Sequence, residues 1–150
     1  APARADDPDF LSVGGGAFDW NRQKNPAAEF RAEYRSDQNF LGFKPLVGAM
    51  ITTDGAFYGY AGVGIDVYVG RRLVITPSFA PGYYAEGGGL DLGYPLEFRS
   101  QIEFAYRFDD RSRISLAISH MSNASLADEN PGTEAAIIYY SVPLPSLLGY

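Results

Sequence analysis

The chain contains no cysteine, which excludes a disulfide framework, a thiolate metal site and a cysteine nucleophile. Histidine is almost as scarce: His120 stands alone, and one imidazole with dispersed carboxylates offers no cluster of metal ligands. Long apolar runs are also missing. None approaches the roughly 18 residues that a spanning helix requires, so a bilayer could be crossed only by a closed barrel, in which every backbone amide finds its partner within the fold. Basic residues number 12 against 18 acidic ones and are scattered along the sequence. With a net charge of -6, the chain lacks the electrostatic footprint of a nucleic-acid binder.

What the sequence does have is strand chemistry. Aromatics make up 15% of it, as 11 Tyr and 10 Phe against one Trp, and there are 17 Gly. Aromatic side chains favour pleated surfaces, and glycine marks tight turns and close backbone approach. At 150 residues, with no break in composition, residues 1–150 are expected to form one domain. The opening stretch, Ala1 to Pro8, is small, acidic and proline-bearing. It reads as a mature N-terminus left by signal-peptide removal, although a sequence boundary would give the same start.

The dominant hydrophobic period is two. From Phe57 to Val69 the odd positions (Phe57, Ala61, Val63, Ile65, Val67) are apolar, while the even ones mix Tyr, Gly and Asp66. From Leu96 to Phe108 one face carries Leu96, Phe98, Ile102, Phe104, Tyr106 and Phe108, interrupted only by Ser100; the other carries Glu97, Arg99, Gln101, Glu103 and Arg107. In Glu29 to Arg35 charges of both signs share one face, as if paired across strands. Further strands are expected at Ser12–Phe18, Leu41–Thr52, Leu73–Tyr84, Arg113–Ser122 and Glu134–Val142, about eight in all. Several reach the roughly 9–11 residues that let a tilted strand cross a bilayer. Pro45, Pro77 and Pro81 weigh against smooth central strands, because proline cannot donate to a ladder.

Connection lengths alternate. Ser36–Asn39, Gly70–Arg72 and Asp109–Arg111 are short; Asp19–Ala28, Ala85–Pro95 and Asn123–Thr133 are long, and only short Thr53–Gly55 departs from the pattern. Short periplasmic turns and longer external loops mark an outer-membrane barrel, so the fold class expected is an all-β, eight-stranded, antiparallel up-and-down transmembrane barrel. At that size side chains fill the lumen and a pore is disfavoured. Alternation does not say which face points inward. A soluble lipid-binding barrel is the alternative, disfavoured because charges as dense as those of Glu97 to Arg107 would ruin its small core.

The chemistry concentrates around His120. In an extended strand Ser122 points to the same face, which also carries Ile114, Leu116 and Ile118. A serine hydroxyl is a weak nucleophile until a base takes its proton, and a histidine base works best when a carboxylate fixes its tautomer. Glu134 opens the strand expected to pair with that of His120, and its parity matches Ala136, Ile138 and Tyr140. The bland reading is a structural histidine, with Glu134 solvated at the interface and Ser122 merely starting a polar loop.

The run His120-Met-Ser122-Asn-Ala-Ser-Leu, followed by Asn130-Pro-Gly-Thr-Glu134 and a terminal strand with Tyr139, Tyr140 and Pro143, resembles the lipid A 3-O-deacylases, eight-stranded outer-membrane enzymes of Gram-negative bacteria. The resemblance implies a serine hydrolase without cofactors that releases the ester-linked 3-hydroxyacyl chain from the 3-position of lipid A in the outer leaflet, with lipopolysaccharide as substrate and outer-membrane lipids as surroundings. It assigns Ser122 as nucleophile, His120 as general base and Glu134 as the orienting acid. It further assigns the amides of Ala124 and Ser125 to an oxyanion hole, with Asn130 in support. Ser125 stands where the family usually has Gly, a substitution that strains the backbone if a positive φ is needed there. The rivals are a non-catalytic structural or adhesive barrel, a soluble lipid-binding barrel and, among enzymes, a phospholipase using the same three residues.

Overall fold

Alternating side chains resolve into antiparallel strands that close on themselves. The computed structural model describes residues 8–19, 27–85, 87, 95–123 and 133–145. Its strands are β1 (Phe10–Phe18), β2 (Ala27–Arg35), β3 (Lys44–Thr52), β4 (Phe57–Gly64), β5 (Val67–Val69), β6 (Leu73–Ala85), β7 (Leu96–Arg107), β8 (Arg113–Ser122) and β9 (Thr133–Pro143). Strands adjacent in sequence pair with one another except β4 and β5, both of which pair with β6, and β1 also pairs with β9. The ring is therefore closed and leaves no sheet edge. β5 continues the line of β4 along β6 in one unbroken register, Phe57↔Ala85 through Val67↔Ile75. Nine segments thus make an eight-stranded barrel, as expected.

The prolines explain why β4 and β5 are separate. Ile65 donates its amide to the Pro77 carbonyl at 3.0 Å, but Pro77 has no N–H to return the bond. The ladder also lapses at Ala61 and Gly62, between Tyr60↔Gly82 and Val63↔Phe79, the positions that face Pro81 and Ala80. β6 itself runs unbroken for 13 residues, since its other flank pairs with β7 in continuous register. One expected boundary moves: the third strand begins at Lys44, not Leu41. Leu41 and Gly42 hold positive φ values of 56° and 94° in a tight turn closed by the Phe40–Phe43 bridge, a conformation no strand residue adopts.

The structure settles which face is which. Glu29, Arg31, Glu33, Arg99, Gln101, Glu103 and Arg113 are buried in the lumen, whereas Phe30, Val47, Ile51, Phe104, Leu116 and Ile138 stand exposed on the wall. That is the reverse of a soluble lipid-binding barrel. The charges are tolerable inside because they neutralise one another. Glu33 accepts from Arg35 at 2.6 Å, from Arg99 at 3.2 Å and from the Tyr60 hydroxyl at 2.7 Å, and Arg35 also reaches Glu103 at 2.8 Å. Arg31 pairs with Glu29 and donates across the lumen to Gln101, Tyr139 and Ser119 at 2.7–2.9 Å. Toward the end where β1 and β8 finish, here called the upper end, the filling turns apolar, with Phe18, Met50, Tyr58, Tyr84 and Met121 packed together.

Candidate active site

β8 places its residues by simple alternation. Arg113, Ser115, Ala117, Ser119 and Met121 are buried; Ile114, Leu116 and Ile118 are exposed, with His120 and Ser122 next in that outward row. Antiparallel pairing with β9 sets His120 directly opposite Glu134, between Met121↔Thr133 and Ser119↔Ala135. Met121 between the two outward residues is anchored in the apolar upper core. Thr133, adjoining Glu134, is buried and donates its hydroxyl to Asp19 Oδ1 at 2.7 Å, tying the start of β9 to the end of β1. Both strands are thus held from inside, immediately behind the outward side chains.

His120 Nδ1 lies 2.7 Å from Glu134 Oε2. The histidine side chain is 44% exposed and the glutamate 16%, so the pair sits on the wall with the carboxylate the better shielded partner. An ionised carboxylate only accepts hydrogen bonds, which places the imidazole proton on Nδ1 and leaves the Nε2 lone pair as an acceptor. Ser122 follows two residues along the same face, about 7 Å on by strand rise. The arrangement offers an oriented base beside a primary hydroxyl, which is the equipment for acyl transfer.

The β7 flank supplies a neighbour that the sequence reading did not single out as functional. Ser100 pairs in register with His120 and Phe98 with Ser122, so an exposed serine stands beside the imidazole on the side away from Glu134. Its signal in the sequence was its break in an otherwise apolar face. Phe98 stacks on Phe79 at 5.8 Å. Below the polar row the wall returns to Ile102, Ile118 and Ala136. Ala124, Ser125 and Asn130 lie outside the described residues. Among those described, no group of three or more His, Cys, Asp or Glu gathers as a metal site.

A shallow depression of about 390 Å³ opens lower on the same wall, lined by Val13, Gly15, Phe30, Ile114, Ile138 and Tyr140. Gly15 is its floor, because it pairs with Phe30 on one side and Ile138 on the other. The flanking side chains rise where glycine has none.

Comparison with known proteins adds three findings. The sequence pattern of the family described as lipid A 3-O-deacylase (PagL) matches residues 49–143. The lipid A deacylase PagL of Pseudomonas aeruginosa is 26% identical over 84 residues, 56% of this chain and 40% of that protein, so the alignment spans well under half of the relative's length. The crystal structure of the outer membrane enzyme PagL superposes with a TM-score of 0.67 at 17% identity, covering 89% of this chain and 99% of that one. At that identity the likeness speaks for the shared barrel.

Proposed function

The chain belongs to the lipid A 3-O-deacylase family, and from that premise we propose that it is an outer-membrane serine esterase that removes the 3-O-linked 3-hydroxyacyl chain of lipid A. The observation that carries the reading is the His120–Glu134 contact of 2.7 Å on the outward wall, in strand register with Ser122. A bilayer location is supported by the apolar exterior and the charged, packed interior, a distribution that water would penalise and lipid favours. With the short turns in the periplasm, the upper end faces outward and the polar row meets the outer leaflet. Lipid A then reaches Ser122 sideways through the bilayer. The depression over Gly15 lies lower on the same wall, on the side of the membrane interior, and suits an acyl chain.

Ser122 Oγ attacks the ester carbonyl while His120 Nε2 takes its proton, and Glu134 stabilises the resulting imidazolium through Nδ1. The tetrahedral oxyanion is held by amides that the family resemblance assigns to Ala124 and Ser125, with Asn130 in support; preorganised donors of this kind contribute about 3–4 kcal/mol. His120 returns the proton to the departing sugar hydroxyl, and water, activated by the same imidazole, releases the acyl group from Ser122. Mass spectrometry of lipid A from cells making the wild-type or the Ser122→Ala protein tests this. Wild type is expected to yield lipid A lacking one 3-hydroxyacyl group and the variant not. Unchanged lipid A in both, with folded barrel in the outer membrane, defeats the deacylase reading.

A further inference from the structure

Arginines that the sequence scatters are gathered by the fold. Of the described basic residues, Arg31, Arg35, Lys44, Arg99 and Arg113 point into ion pairs of the lumen. Arg71, Arg72, Arg107 and Arg111 instead line one concavity of about 310 Å³ with Phe108 and Asp109. It lies at the lower end, between the β5–β6 and β7–β8 turns. Four arginines line it with Asp109, while Asp110 of the same turn is turned to the Ser112 amide and hydroxyl, which donate to its Oδ1 at 2.9 and 2.6 Å; the balance is positive in a chain whose net charge is -6.

Hydrogen bonds within the protein hold the concavity in shape. Arg72 is held by Asp109 and donates to the Arg107 carbonyl at 3.1 Å; Arg107 donates to the Arg71 carbonyl at 3.2 Å. The Arg107 amide bonds Arg72 O at 2.7 Å and the Arg111 amide bonds Phe108 O at 2.9 Å. Both turns are thereby stitched together. An aromatic collar stands around them: Tyr106 and Phe108 meet edge to face at 5.2 Å, Arg72 lies 6.0 Å over Tyr106, and Arg107 lies 5.2 Å over Tyr68. All three rings are exposed, as amphipathic rings are at a membrane–water interface. Elsewhere on this rim the charge is reversed, with Asp9 accepting hydrogen bonds from the Asp37 amide and the Tyr34 hydroxyl.

We propose that the concavity formed by Arg71, Arg72, Arg107 and Arg111 binds the phosphate-bearing headgroup of an anionic phospholipid in the leaflet opposite the esterase site. Guanidinium forks suit phosphate geometry, and the wall beside the turns, with Leu73 and Phe104 exposed, receives the acyl chains. The choice of leaflet rests on the membrane orientation of the proposed function; the choice of ligand does not.

The test is native mass spectrometry of the purified full-length barrel, equilibrated with phosphatidylglycerol or phosphatidylcholine, for wild type, Arg71→Gln/Arg111→Gln and Ser122→Ala. Wild type and Ser122→Ala are expected to retain phosphatidylglycerol at least several-fold over phosphatidylcholine, and the double variant to lose that preference while its heat-modifiable migration shows it folded. Equal retention of both lipids, or an unchanged preference in the folded double variant, overturns the proposal. Displacement of the lipid by equimolar inorganic phosphate reveals a site for free phosphate and overturns it as well. For the leaflet, R71C introduces the sole thiol of the chain. It should react with a polyethylene-glycol maleimide too large for porins only after the outer membrane is permeabilised; reaction in intact cells overturns the leaflet assignment. Because Ser122→Ala keeps the lipid and the double variant keeps Ser122, the esterase reading and this one fail separately.

Discussion

Replacing Glu134 with glutamine gives the sharpest measure of the proposed catalytic arrangement. The substitution keeps size and hydrogen-bonding capacity and removes one negative charge, 2.7 Å from His120 Nδ1. As Ser122 attacks, the imidazole becomes a cation, and the lost attraction falls on that step. Two unit charges about 4 Å apart interact by about 4 kcal/mol at an effective dielectric near 20. His120 is 44% exposed, so water and salt screen part of this, leaving about 2–3 kcal/mol, or roughly a 30- to 150-fold fall in kcat. A fully buried triad loses about 10^4-fold on the equivalent exchange; partial exposure sets the lower figure here. The assay is release of 3-hydroxy fatty acid from lipid A by refolded enzyme, with kcat and KM measured separately. Nitrogen NMR supplies an independent reading: His120 is the one histidine, so its signals need no assignment, and the wild type should carry its proton on Nδ1. Ser122→Ala with Glu134→Gln should be no slower than Ser122→Ala alone, because the residues act as a unit. Wild-type kcat for Glu134→Gln, in a barrel with unchanged unfolding, refutes the orienting role.

The remaining predictions concern the scaffold. Glu33 is held by Arg35, Arg99 and Tyr60, so Glu33→Gln leaves buried guanidinium charge uncompensated and should cost about 3–5 kcal/mol in urea unfolding from detergent or lipid. Glu97 is buried too, but neither of its carboxylate oxygens has a hydrogen-bond partner among the described residues; Glu97→Gln should be neutral or stabilising in the same assay. Partial burial and the adjoining Asp9, to which it is hydrogen-bonded, raise the Asp37 carboxyl above its ordinary value. A carboxyl raised in the folded state weakens folding once pH exceeds that value and has no effect below the unfolded value. Asp37→Asn should therefore raise the unfolding midpoint at pH 7 and lose its advantage near pH 3. A Cβ added at Gly62 would sit 2.0 Å from the Phe79 carbonyl oxygen, a clash with backbone, so Gly62→Ala should cost about 1–3 kcal/mol.

Strand number and residue partition were legible in the sequence because a closed barrel sorts side chains strictly by parity, and parity survives any error in strand ends. The pairing of His120 with Glu134 was legible for the same reason: consecutive antiparallel strands left only the register open, and matching outward faces restricted it. Direction of the two faces did not follow from alternation, which is symmetric; the density of charge in Glu97 to Arg107 pointed that face inward, and burial of Glu97, Arg99 and Glu103 agrees. The break between β4 and β5 was hidden as well. Its cause, the missing donor of Pro77, lies on the neighbouring strand, and the proline therefore disrupts its partner instead of the segment that contains it. Leu41 was read into a strand because its apolarity fits one; the positive φ that excludes it comes from a turn in which Asn39 Oδ1 accepts the Gly42 amide. The arginine concavity was out of reach, since the β5–β6 and β7–β8 turns that build it are separated by the whole of β6 and β7.

A filled lumen determines where chemistry can occur on such a molecule. The interior is occupied by paired charges and by the apolar cluster around Tyr58 and Met121; among the described residues the cavity beside Phe10, Glu33 and Arg113 measures about 30 Å³, room for about one water, which directs chemistry on a lipid to the wall or the rims. On the wall, polar side chains are costly in lipid except near the ends of the strands, and the His120–Glu134 pair lies at the upper end of β8 and the start of β9. Rigidity there comes from behind: Met121 and Thr133 plug inward between and beside the outward residues and hold His120 and Glu134 in register. On the proposed reading, the depression over Gly15 on the same wall, backed by the sheet, takes an acyl chain from the side, which the packed interior of a barrel of this width could not.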